Sequence, residues 1–98
     1  MSYRIDLATS AVKDLQRLRK FDRVKILEAV ETQLSHEPMT ETRSRKELRD
    51  NILARWELRV GDHRVFYNVS EDEQVVQVTA VGYKVHNRLF VGGKEVEI

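Results

Sequence analysis

Cysteine is absent from this chain. That excludes a disulfide framework and a thiolate metal site, and it fits a reducing compartment. Histidine is scarce. His36, His63 and His86 lie far apart, in no spacing that would hold zinc, so the sequence calls for no metal and no cofactor. Long apolar runs are missing as well. No stretch approaches the ~18 apolar residues of a membrane span. The first residues, charged at Arg4 and Asp6, lack the apolar centre of a signal peptide. A cytoplasmic protein with no membrane partner is expected. Proline occurs once, at Pro38, and there is no repeat, linker or low-complexity tract. Residues 1–98 are therefore expected to form one domain.

What is present suits a small folded domain: 41% of residues are hydrophobic and 34% charged. A chain of this size buries roughly two-thirds of its unfolded surface, so its stability margin is thin. The net charge is only +1, but its distribution is uneven. Between Gln74 and Lys94 there is no acid, while Lys84, His86, Arg88 and Lys94 are present. From Arg43 to Arg64 seven basic residues stand against four acids. The acids gather at Glu71, Asp72 and Glu73 and at Glu95 and Glu97. A nearly neutral chain with one basic region can still bind phosphates, although an ordinary solvated surface has the same composition.

Tyr3, Ile5 and Leu7 alternate with Arg4 and Asp6, the signature of a half-buried strand. Thr9 or Ser10 can cap a helix in which Ala11, Leu15 and Leu18 form the apolar stripe. Lys13, Asp14, Gln16 and Arg17 then face out, and the helix ends near Lys20. Asp22 is placed to cap a second helix, with Ile26, Leu27, Val30 and Leu34 inward, and Pro38 stops it. Met39 to Asp50 reads as a loop or irregular crossover. Three strands follow, near Ala54 to Val60, His63 to Val69 and Val75 to Val81. Gly61-Asp62 joins the first two as a hairpin turn of type II′. The pattern predicts an α+β domain, β-α-α-β-β-β, with a two-helix hairpin on one face of a small antiparallel sheet. Residues 89–98 form a tail that either adds an edge strand, since Val96 and Ile98 alternate with Glu95 and Glu97, or packs back on the core.

The turn sets a register: Val60 opposite His63, Arg59 opposite Arg64, Leu58 opposite Val65, Glu57 opposite Phe66, Trp56 opposite Tyr67 and Arg55 opposite Asn68. Trp56, Leu58, Val60, Val65 and Tyr67 then share the face that the helices cover. The other face carries Arg55, Glu57, Arg59, Arg64, Phe66 and Asn68. Two arginines directly opposite each other repel. Such a broken local rule often marks a functional site. The plainer alternative is a surface network bridged by Glu57 and worth about 1 kcal/mol or less. The chain after Val81 should bring Tyr83, Lys84, His86, Arg88 and Phe90 to the same end of the sheet. Cations that neutralise phosphates and rings that stack on bases are the parts of an RNA site.

The run WELRVGDHRVFYNV, the valine-rich strand after it and VGYK resemble the core of the RelE/ParE toxins. Tyr3-x-Ile5, the Ala11 to Leu15 segment, the paired helices and the break at Pro38 fit the same pattern, which extends to about Phe90. The resemblance implies the toxin of a type II toxin–antitoxin system. In the RelE-like branch that means a metal-independent endoribonuclease that cuts mRNA on the ribosome, inhibiting translation and growth. By position, Arg55 matches a basic residue of the RNA face, and Glu57 stands where another cation is usual. Arg64 matches the arginine that holds the scissile phosphate, and Lys84 stands where arginine is common. Phe90 replaces a stacking tyrosine and cannot transfer a proton. Arg59, Phe66 and Arg88 are further RNA-binding candidates. The implied reaction is attack of an RNA 2′-OH on its adjacent phosphate, with Arg64 and Lys84 stabilising charge. Glu57 or Glu47 is the candidate base, and His86 or Tyr83 the candidate proton donor.

The same scaffold serves ParE-like inhibitors of DNA gyrase, and the departures at Glu57 and Phe90 suit that alternative. A third alternative is a toxin fold that has lost activity and only binds a partner. All three imply a cognate antitoxin, acidic where it meets the basic face or else packed on the helices, and a hetero-oligomer with it. The ribonuclease alternative adds the ribosome and mRNA as partners.

Overall fold

In the computed structural model, which describes residues 2–98, alternating apolar residues become strands and the two apolar stripes become helices. The order is β1 (Arg4–Leu7), α1 (Thr9–Gln16), α2 (Lys20–Leu34), β2 (Arg45–Glu47), β3 (Trp56–Val60), β4 (His63–Ser70), β5 (Val75–Val85), β6 (Arg88–Val91) and β7 (Lys94–Val96). The sheet runs β2-β3-β4-β5-β6-β7, with β1 added beside β5. Every neighbouring pair is antiparallel except β1 and β5. The architecture is α+β: two helices packed on one face of a largely antiparallel sheet.

Both helices pack on that single face, α1 over β5 and α2 over β3 and β4. Leu15, Ile26, Val30 and Leu34 meet Trp56, Leu58, Val65, Tyr67, Val76 and Val78 in the main core. Tyr67 is fully buried, stacks on Trp56 with ring centroids 6.2 Å apart, and donates its hydroxyl to the Pro38 carbonyl at 2.7 Å. Pro38 thus ends the second helical segment and also accepts the one polar atom of a buried ring.

Several local expectations are corrected. Helix α1 stops at Gln16, short of Lys20, and Ala8, whose side chain offers no acceptor, is its N-cap. Asp22 lies inside the first turn of α2, beside Arg19 at 3.3 Å, and caps nothing. Asp14, expected to face solvent, is buried. The cause is a gap in the sheet. Along one edge of β5, β1 covers Val75 to Val78 and β6 covers Gly82 to Val85. Between them α1 crosses the edge. The Ser10 hydroxyl donates to the Thr79 carbonyl at 2.5 Å, and the Val81 amide donates to Asp14 Oδ2 at 3.0 Å. Ser10 and Asp14 stand four residues apart, on one helix face, and satisfy the strand groups that no neighbouring strand reaches.

The crossover contains a short strand, β2, where loop was expected, and the tail adds two strands. His86 and Asn87, at φ 50° and 69°, make the turn into β6, and Gly92 and Gly93, at φ 62° and 80°, make the turn into β7. Both turns place positive φ at two successive residues, as two-residue hairpins of type I′ require.

Candidate functional site

The register follows from the Gly61-Asp62 turn. Gly61 takes φ 60° and Asp62 does not enter the positive region, as the type II′ turn needs. Arg59 stands opposite Arg64, and Glu57 opposite Phe66. Glu57 Oε2 lies 3.3 Å from Arg59 Nε and 4.0 Å from Arg64 Nε. The glutamate is only 3% exposed. One carboxylate oxygen therefore serves both arginines, which is how the sheet tolerates like charges in register. Arg64 has a side chain 14% exposed and donates through one Nη to the Gly61 and His63 carbonyls at 2.8 and 2.9 Å. Its buried Nε has no hydrogen-bond partner among the described residues.

Strand β5 brings Gly82 opposite Arg64 and holds Lys84 by its amide, which donates to the Asp62 carbonyl at 2.8 Å. Gly82 is required by close approach of β6. A Cβ there would run into the Phe90 carbonyl and lie 2.8 Å from Val91 Cγ2. Lys84 shares the face of Arg64, because side chains two residues apart point the same way. From the other side β2 supplies Lys46, directly opposite Glu57, and Glu47 beyond it. Lys46, Glu47, Leu48, Arg49, Asn51, Glu57, Arg59, Lys84 and Ile98 line one groove of about 460 Å³. The ends of the strand order, β2 and Ile98 two residues beyond β7, meet at this groove, so the sheet curls and the groove is its open seam. Four cations face two carboxylates there. One of those, Glu47, is 46% exposed and lies 3.4 Å from Arg55 Nε.

The expected convergence of cations and rings holds for some of the cations, Arg59 and Lys84, and for none of the rings. Phe66, a candidate for base stacking, is fully buried in a second apolar cluster with Ala80 and Leu89, packed by Leu48, Leu53, Val91 and Val96. The β6–β7 hairpin and the segment after β2 cover it. Tyr83 and Phe90 do reach the right end of the sheet, but on the opposite face. Tyr83 pairs with His63 and Phe90 with Tyr83, one residue out of phase with Lys84. Their rings stack on each other at 5.4 Å, beside Arg17 and Leu18 of the helical side. Arg88 lies over the Phe90 ring at 5.6 Å and is spent on Glu95, at 2.7 Å. That guanidinium holds the Glu95 carboxyl below the usual carboxylate range. His86 sits exposed in a turn, outside the groove lining. Thus Arg59, Lys84, Glu57 and Glu47 are brought together, Arg64 is held behind Glu57, and Arg55 stands at the rim through Glu47.

Lys46 and Arg49 are groove residues not singled out from the sequence. The basic run after Arg43 carries them, but without β2 nothing places them on the sheet. Among the described residues no set of His, Asp or Glu side chains gathers as for a metal. No described helix is long and apolar enough to cross a membrane.

Comparison with known proteins agrees with this fold. The family model described as the ParE toxin of type II toxin–antitoxin system, parDE, matches residues 5–87. No curated protein sequence matches. Solved structures are similar too, two of them as follows. A chain of the toxin–antitoxin complex RelBE2 from Mycobacterium tuberculosis is 25% identical, with a TM-score of 0.74, covering 86% of this chain and 100% of its own. A chain of the archaeal RelE–RelB complex from Pyrococcus horikoshii is 26% identical, with a TM-score of 0.69, covering 88% of this chain and 99% of its own. A family match that takes in both helices and the whole charged hairpin makes this protein a member of the ParE toxin family of type II toxin–antitoxin systems, within the RelE/ParE superfamily.

Proposed function

We propose that this toxin acts as a ribosome-dependent mRNA endonuclease and that the seam groove is its working site. The observation that carries this is an exposed carboxylate, Glu47, in a groove lined by Lys46, Arg49, Arg59 and Lys84. Cleavage by the RNA's own 2′-OH needs a base near that hydroxyl and cations around the phosphorane, and these are the groups present. Glu47 takes the 2′ proton. The 2′-oxygen bonds to phosphorus, and the 5′-oxygen leaves and is protonated from water, giving a cyclic phosphate. Arg59 and Lys84 stabilise the charge, while Arg64 stays beside Glu57 at the groove wall. Among the described residues no ring lines the groove to splay the bases. Alignment of the 2′-OH must then come from outside, which is what a translating ribosome supplies. An antitoxin with an acidic segment would neutralise the same groove and form the inactive hetero-oligomer.

A second reading is inhibition of DNA gyrase. The family model that matches is that of ParE toxins, and Glu57 neutralises arginines that a nuclease would keep free. Purified protein added to a translating extract and to a supercoiling reaction separates the two. Ribosome-dependent mRNA breaks with normal supercoiling support the nuclease. Intact mRNA with arrested supercoiling supports the inhibitor.

A further inference from the structure

Glu57 is a buried acid at the wall of a mainly cationic groove. Lys46 stands opposite it on β2, and its Oε2 lies 3.3 Å from Arg59 Nε and 4.0 Å from Arg64 Nε. Arg64 Nε, buried, has no hydrogen-bond partner among the described residues and only the charge of Glu57 nearby. A carboxylate between two guanidinium groups occupies the place that a phosphate would take, because both present oxygens to N–H donors. The two arginines differ in freedom: the Arg59 side chain is 44% exposed, whereas Arg64 is tied to the turn carbonyls. An incoming backbone can draw Arg59 away but leaves Arg64 with Glu57.

We propose that Glu57 is an internal stand-in for a phosphate group, which holds Arg59 while the groove is empty and sets how tightly the groove grips a nucleic-acid backbone. Its negative charge keeps binding weak and reversible, and the competition makes Arg59 the guanidinium that changes partners. This rests on the groove being a nucleic-acid site. It goes beyond that reading in assigning Glu57 a restraining role in place of a proton-transfer role.

The test is binding of a short single-stranded 2′-O-methyl RNA, which cannot be cut, to the full chain and to Glu57→Gln and Arg59→Ala. Glu57→Gln keeps the shape and an acceptor oxygen but removes the charge. It should bind roughly threefold to tenfold tighter at low salt, with a steeper salt dependence, and Arg59→Ala should bind more weakly than the unmodified protein. Equal or weaker binding by Glu57→Gln, with Arg59→Ala still impaired, would overturn the proposal and leave the groove as the RNA site. No binding by either the unmodified protein or Glu57→Gln would overturn both. A melting curve reports whether Glu57→Gln folds. If it does not, NMR of the unmodified protein decides: the Arg59 Nε–H signal should move on RNA addition while that of Arg64 stays. An Arg59 signal unmoved at saturation sinks the idea.

Discussion

Tyr67 shows what a single side chain does in so small a core. Its ring is buried against Trp56, and its hydroxyl donates to the Pro38 carbonyl. Tyr67→Phe removes that bond and leaves a buried carbonyl without its partner, so urea denaturation should show a loss of about 1–2 kcal/mol. Burial pushes the Tyr67 phenol well above its ordinary value of 10.0. A pKa raised in the folded state means the folded protein holds its proton where the unfolded chain has released it. The contribution is therefore complete below pH 10 and is lost as pH rises further through the folded value. Stability should fall above about pH 10, and Tyr67→Phe should flatten that fall. At Gly82 the constraint is steric. Gly82→Ala should part β5 from β6 and lower the melting temperature, because the added methyl meets the β6 backbone.

At the scale of elements, α1 both covers the core and closes the gap between β1 and β6. Asp14→Ala strands the Val81 amide and should destabilise the fold by about 2 kcal/mol, measured in urea, with Ser10→Ala costing less. This is where the sequence was least legible. The strand pairing from Val60–His63 to Trp56–Tyr67 could be read from Gly61-Asp62 and alternation alone, and the structure has it. The partner of Asp14 could not, since nothing local says that an exposed-looking helix position lies over an unpaired strand edge. The tail was legible in part. Gly92-Gly93 between Phe90-Val91 and Lys94 to Val96 is a hairpin signal, whereas His86-Asn87 carries no glycine to announce a turn of positive φ. Tyr83 lies between Gly82 and Lys84 in β5, so alternation alone turns it away from Arg64 and Lys84, and Phe90 follows it as its partner on β6. Arrival at one end was right, but one residue of phase decides the face.

For the whole molecule, the curl of the sheet makes the groove. Residues of β2, β3 and β5 reach it from strands that are not all neighbours, and Ile98 closes it from beyond β7. The family match ends at residue 87, so β6 and β7 lie outside it while they cover Phe66 and lead the chain to Ile98 at the groove. That seam is invisible in one dimension: the charges were legible, their gathering was not. The most direct test of the account is mRNA cleavage in a translating extract by the unmodified protein and by the double variant Arg59→Ala, Lys84→Ala. A melting curve of the variant is the control for folding: neither side chain packs in a core, but Arg59→Ala leaves the buried Glu57 with Arg64 alone and should lower the melting temperature. Cleavage that needs ribosomes, and a loss of roughly a hundredfold or more in rate for the variant, are expected. A variant that cuts as fast as the unmodified protein, or mRNA left intact by both, would contradict the assignment of the groove.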